Sequence, residues 1–149
     1  MKTILFLSLF GSIVAHAKGS KFLDAYLFCE KGDQSCITID QDRDEPVRVQ
    51  MKTKIKLKVD SASVGSTHLD LKLENRTKEQ LGKLTQENIG KRLVIAYGRA
   101  VALVQVIKTP IENGAGLLIS VENILDHKES ETPMSFCKKI TTICTKAVK

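Results

Sequence analysis

An α+β domain is the fold class this sequence predicts: an antiparallel β-sheet with one or two helices packed on one face, stapled by disulfides. Three observations predict it. Val47 to Val59 and His68 to Glu74 alternate apolar and polar side chains with the period of a strand. Thr77 to Gly90 switches to a helical period between a start signal and a stop signal. Four cysteines follow a leader-like N-terminus, an even number in a small chain. The 149 residues, 42% hydrophobic and 27% charged, fit one globular domain over 18–149, and no period of roughly 20 to 50 residues marks a repeat array. Aromatic residues make up only 5% of the chain and Trp is absent, which excludes an aromatic-lined platform for bases or sugars.

The N-terminus reads as an address. Lys2 is a short positive region, Ile4 to Val14 an apolar run, and Ala15-His16-Ala17 a small-residue cleavage site, so residues 1–17 are expected to be a signal peptide removed on export. Roughly 11 apolar residues fall short of the ~20 a bilayer span needs. The expected product is an exported, basic domain starting at Lys18, either retained in the periplasm or secreted.

Phe22 to Ile39 is ambiguous between a helix and a hairpin turning at Gly32-Asp33. In Val47 to Val59 the odd positions, from Val47 through Leu57 to Val59, form a core face. Arg48, Lys52, Lys54, Lys56 and Lys58 line the other. After a Ser/Gly turn over Ser61 to Ser66, Leu69, Leu71 and Leu73 point inward on a partner strand. A register pairing Val59 with Leu69 sets Asp70 beside Lys58 and Glu74 beside Lys54. Thr77-Lys-Glu-Gln80 matches a capping box, and Leu81, Leu84 and Ile89 give the helix its apolar face before Gly90. Leu93 to Tyr97, Ala100 to Lys108 and Gly116 to Val121 read as three strands, the last two joined across Asn113-Gly114, a hairpin signal because both residues tolerate positive φ. Pro110 marks a strand end or an edge. Asp126 to Pro133 reads as a polar linker to a C-terminal amphipathic helix over 134–148, with Phe136, Ile140, Ile143 and Ala147 on one face.

Cys29, Cys36, Cys137 and Cys144 are expected to form two disulfides; neither pair has the spacing of a zinc knuckle. If the tail is helical, the seven residues from Cys137 to Cys144 separate their α-carbons by ~10.5 Å, beyond the ~7 Å reach of a bridge. Both would then bond back to Cys29 and Cys36, the pairing this reading favours. If the tail is irregular, two local bridges are equally consistent.

Leu84-Thr-Gln-Glu-Asn88-Ile-Gly90-Lys91-Arg92-Leu93-Val-Ile95, followed by Val101, Val106-Ile107, Ile111 and Gly114, resembles the periplasmic head of the bacterial protein-export subunit SecD. The resemblance covers about residues 69 to 120, and its motif residues here are Thr85, Asn88, Gly90, Lys91 and Gly114. It implies an α/β head built on an antiparallel sheet, a part thought to contact translocating chains. The chain departs from that family at Gly98-Arg99, where the family has Asp-Gly, at Gln105, where it has Pro, and in the Cys-bearing tail.

Catalysis has little to stand on. No G-x-S-x-G elbow is present. His68 on a strand's wet face and His127 in the polar linker sit where nothing orients a base. Asp40, Asp42 and Asp44 start like a calcium loop, but Glu45 stands where the turn needs Gly and Met51 where it needs Glu. No catalytic residue, metal or cofactor is expected. The lysine stripe is the candidate anion-binding element, suited to lipopolysaccharide or a phospholipid surface, although alternating lysines also keep a strand's outer face soluble. No dedicated nucleic-acid ligand is expected. The leading expectation is an exported, non-enzymatic bacterial module binding a protein or peptide partner by strand addition or surface contact, in the periplasm or as a host-directed virulence effector. The alternatives are a surface protein binding anionic lipid or glycan through its lysines, and a small secreted hydrolase.

Overall fold

The computed structural model describes residues 22–39, 46–111, 116–122, 124–125 and 131–147. The expected signal peptide over 1–17, the acidic run Asp40 to Glu45, the Asn113-Gly114 turn and His127 lie outside the described residues.

The fold is α+β, with ten strands and two helices among the described residues. A four-stranded antiparallel sheet has the order β4-β1-β7-β8, formed by Ile55–Leu57, Leu23–Leu27, Arg92–Tyr97 and Ala100–Val106. A second has the order β10-β5-β6-β9, formed by Cys144–Lys146, Val59–Val64, His68–Leu73 and Leu117–Ser120, with β10 parallel to β5. β2 (Cys36–Ile39) and β3 (Val47–Gln50) make a separate antiparallel ribbon. α1 spans Asn75–Glu87 and α2 Pro133–Ile140.

The main core joins both sheets to both helices: Leu23 and Leu57 from the first, Leu69, Leu71 and Leu73 from the second, Leu81 from α1 and Phe136 from α2. A smaller core of Tyr26, Val47, Val49, Val94 and Ala96 is shared by the first sheet and the ribbon. β7 therefore has apolar neighbours on both faces, which is why Leu93 to Ala96 is a continuous apolar run.

Several expectations need correcting. The lysine-bearing segment is not one strand: β3 ends at Gln50, a 3₁₀ turn occupies Met51–Thr53, and the chain restarts as β4 and then β5. The turn moves the chain from the ribbon to the first sheet, and Thr53 anchors it. Its hydroxyl donates to the Gln50 carbonyl (2.8 Å) and accepts the Leu27 N–H (2.8 Å). Met51, expected inward, is exposed in that turn. The hairpin register is also different. Ser61 to Val64 extends the strand, burying Ala62 and Val64, so Leu69 pairs with Val64 and Leu73 with Val59 across a bulge. The lysine–carboxylate pairs expected from the other register do not form, and Asp70 lies opposite Ser63. β9 pairs with β6 and not with β8. Phe22 to Ile39 becomes two strands, but β1 and β2 pair with other partners, and the turn between them, with Gly32 at φ 96°, is closed by Cys29–Cys36. α1 starts at Asn75, ahead of the expected capping box, and the Thr77 hydroxyl instead accepts the Lys58 N–H at 3.3 Å. Ile89, beyond the helix end, is exposed.

The C-terminal helix stops at Ile140 and not at 148. It begins with a Thr132/Ser135 capping box and Pro133 in its first turn. It ends because Thr141 turns extended and its hydroxyl donates to the Asp60 carbonyl at 3.0 Å. The following chain then fills the open edge of β5, with the Ala62 N–H donating to the Ile143 carbonyl. With the helix ended, Cys137 and Cys144 lie 6.2 Å apart at Cα and bond to each other; Cys29 and Cys36 do the same at 6.1 Å. The favoured long-range pairing is thereby overturned, because it required helix between the two tail cysteines.

Candidate anion-binding groove

β4 and α1 run side by side in opposite directions, joined directly at one end and through β1 at the other. At one end the Glu74 N–H donates to the Lys58 carbonyl (2.9 Å), placing the start of α1 against the end of β4. At the other, the Thr53 hydroxyl holds β1 at Leu27, and the next residue, Phe28, donates to the Arg92 carbonyl (2.8 Å), where the chain emerges from α1. Between them lies an open groove of about 720 Å³.

One wall carries Lys52, Lys54, Lys56 and Lys58. The other carries Arg76, Gln80, Lys83 and Glu87, whose alternating spacings of four, three and four residues set them on one helical face, with Lys91 just past the helix. Leu27, Ile55 and Leu84 also line it. Seven cations thus face two carboxylates, Glu74 and Glu87. None of the seven has a carboxylate within ion-pair distance among the described residues, whereas nearby Arg92 is paired with Glu30 at 3.1 Å and stacks 3.5 Å over the Phe28 ring. Lys56 sits 5.6 Å over the Phe22 ring.

The uncharged polar groups of the groove are mostly committed elsewhere. The Thr53 and Thr77 hydroxyls bond to backbone, Asn88 donates to the Leu84 carbonyl at 2.8 Å, and Gln50 donates to Phe28 and Asp33. Free donors in the groove are therefore chiefly ammonium groups. Asp24, opposite Lys56 on β1, has its carboxyl pushed above the usual range by burial, against the opposing pull of Lys54 and Lys56.

The structure thus brings together four of the five cations singled out in the sequence and leaves out Arg48, which is exposed on β3 opposite Thr38. Arg76 and Lys83 escaped notice as site residues, and Lys91 was singled out only as a residue of the SecD-like motif, not as an anion-binding one. The helical face shared by Arg76 and Lys83 was visible, but nothing local showed that it borders the lysines.

The residues carrying the SecD resemblance do structural work. The buried Thr85 hydroxyl donates to the Leu81 carbonyl (2.9 Å) and accepts the Ile111 N–H (2.9 Å). Asn88 caps α1, Gly90 takes φ 89° and donates to the Ile107 carbonyl, and the Lys91 carbonyl accepts the Ile107 N–H. Together they end the helix and dock it on the chain leaving β8. Gly114 lies outside the described residues. His68 is exposed on β6, its Nδ1 2.7 Å from the Thr67 hydroxyl. Among the described residues no cluster of three His, Cys, Asp or Glu could hold a metal ion, and no helix is long and apolar enough to cross a membrane.

Comparison with protein-family models, curated proteins and solved structures finds no match.

Proposed function

We propose that this protein is an exported, non-enzymatic binding module that holds an anionic ligand in the groove between β4 and α1. The observation that carries the reading is the gathering of seven cations, from the Lys52–Lys58 stretch and from α1 with the turn after it, none of them within ion-pair distance of a carboxylate among the described residues. Like charges brought together in a folded chain repel one another, and an external anion relieves that repulsion on binding. Two disulfides suit a domain working in an oxidising compartment. On this reading the resemblance to the SecD head concerns the scaffold. Thr85, Asn88 and Gly90 build the helix end, while the lysine wall precedes the similar stretch in sequence.

A second reading, a peptide partner added to a sheet edge, is favoured by the outer strands β8 and β9, which expose Val104, Val106 and Leu118 beside a cleft of about 680 Å³. One experiment separates the two. Binding of the full exported chain to heparin resin and to anionic vesicles should weaken steeply with salt and be lost when Lys52, Lys54, Lys56 and Lys58 are changed to Gln. Anion binding that survives these changes removes the groove reading. Salt-insensitive binding of extended peptides by the same variant would instead support edge addition.

A further inference from the structure

We infer that the occupant of the groove is a linear polyanion, a chain carrying repeated phosphate or sulfate groups, laid lengthwise between β4 and α1; this rests on the anion-binding reading above. The walls match in length. From Lys52 to Lys58 the chain advances roughly 17 Å, combining 3₁₀ and extended rises, and α1 from Arg76 to Glu87 advances about 16.5 Å. Cations line both walls along this length. Lys54, Lys56 and Lys58 recur at about 6.6 Å on one side, while Arg76 and Lys83 are separated by about 10.5 Å on the other. A flat bilayer meets a single plane of side chains and would leave one wall unused, and a small anion would use only a few of the seven charges. An extended chain meets both walls at once.

The lining also favours a repeating charge over a specific shape. Six of the seven cations are lysines, flexible point donors that follow a moving charge pattern without fixing one bidentate geometry. No Phe, Tyr or Trp lines the groove, so bases have no ring to stack on. The ligand is therefore read through its backbone charge. With about six charges neutralised, the logarithm of the association constant should fall with the logarithm of salt at a slope near −4, the single-strand relation, or ~250-fold from 50 to 200 mM.

The test titrates the full exported chain with four probes: long-chain inorganic polyphosphate, heparin, tripolyphosphate and phosphatidylglycerol vesicles. Both long chains should bind at least ~100-fold more tightly per molecule than tripolyphosphate, compete with each other, and show the steep salt slope. Whichever binds more tightly at equal charge identifies the source of the oxyanions. Lys56→Glu and Lys83→Glu, one from each wall, should each weaken long-chain binding at least ~10-fold, with circular dichroism confirming the fold. Loss with Lys56→Glu but not Lys83→Glu would show a one-walled contact and overturn the linear mode while leaving anion binding intact. Tripolyphosphate or vesicles binding as tightly per charge would do the same. Indifference of every probe to both substitutions, or no binding at all, would end the anion-binding reading itself.

Discussion

At the scale of single residues, the best-placed polar group is the Thr85 hydroxyl. It is fully buried on the inner face of α1, and it receives the Ile111 N–H from a segment 26 residues further on. Nearby, Gly82 leaves room for the same segment, since a Cβ there would stand 2.9 Å from the Ile111 carbonyl oxygen. Thr85→Val keeps the shape but removes the acceptor, leaving a backbone donor with no partner. The expected loss is about 1–3 kcal/mol, read as a lower urea midpoint with an unchanged slope. An unchanged midpoint would show that the Ile111 amide finds water instead. Thr85 was legible in the sequence as part of a motif. Its role was not, because the partner amide is fixed only when the chain after β8 folds back over the helix.

At the scale of elements, legibility follows how local the deciding interaction is. β6 shows its alternation plainly because its inner face, Leu69, Leu71 and Leu73, is core and its outer face is wet. α1 and β7 were equally visible, one from period and stop signal, the other from an apolar run buried on both sides. The tail was misread because Phe136, Ile140, Ile143 and Ala147 keep a helical spacing through a segment whose Thr141 and Thr142 favour extended backbone. What decided it was the free edge of β5, whose Ala62 pairs with Cys144, a partner no local pattern reveals. The disulfide Cys137–Cys144 holds this arrangement, tying the end of α2 to β10. Replacing both cysteines by Ala should cost about 2.5 kcal/mol by the entropy of a short closed loop, a melting temperature lower by ~8 °C. The Ala62 and Ala147 amides, which bond to Ile143 and Val64 across this junction, should lose hydrogen-exchange protection before the central strands do. Uniform loss across the sheet would mean that β10 is integral to the global fold and not a separately opening clasp.

At the scale of the whole molecule, the charge distribution sets function against stability. The chain carries a formal net charge of +6, and seven of its cations are confined to one groove with no ion-pair partner among the described residues. The expected hairpin register would have shared part of this charge with Asp70 and Glu74. The observed register moves Asp70 away from the stripe, and the nearby carboxylates Asp24, Glu74 and Glu87 form no ion pair with it among the described residues. Such repulsion is tolerated where binding needs it, and removing it should stabilise the free protein. Lys58 and Lys83 stand on opposite walls, are exposed, and make no described side-chain bond, so changing both to Gln removes charge with little loss of packing. In low salt the double variant should melt a few degrees above the parent, as expected for two surface changes worth up to about 0.5 kcal/mol each. The gain should shrink toward zero near 1 M salt, where the screening length falls to about 3 Å. Saturating polyanion should reverse the order, because the ligand stabilises the parent through binding that the variant has lost. A variant that melts below the parent at every salt concentration would show instead that these two side chains support the fold, and that the groove's charge imposes no strain for a ligand to relieve.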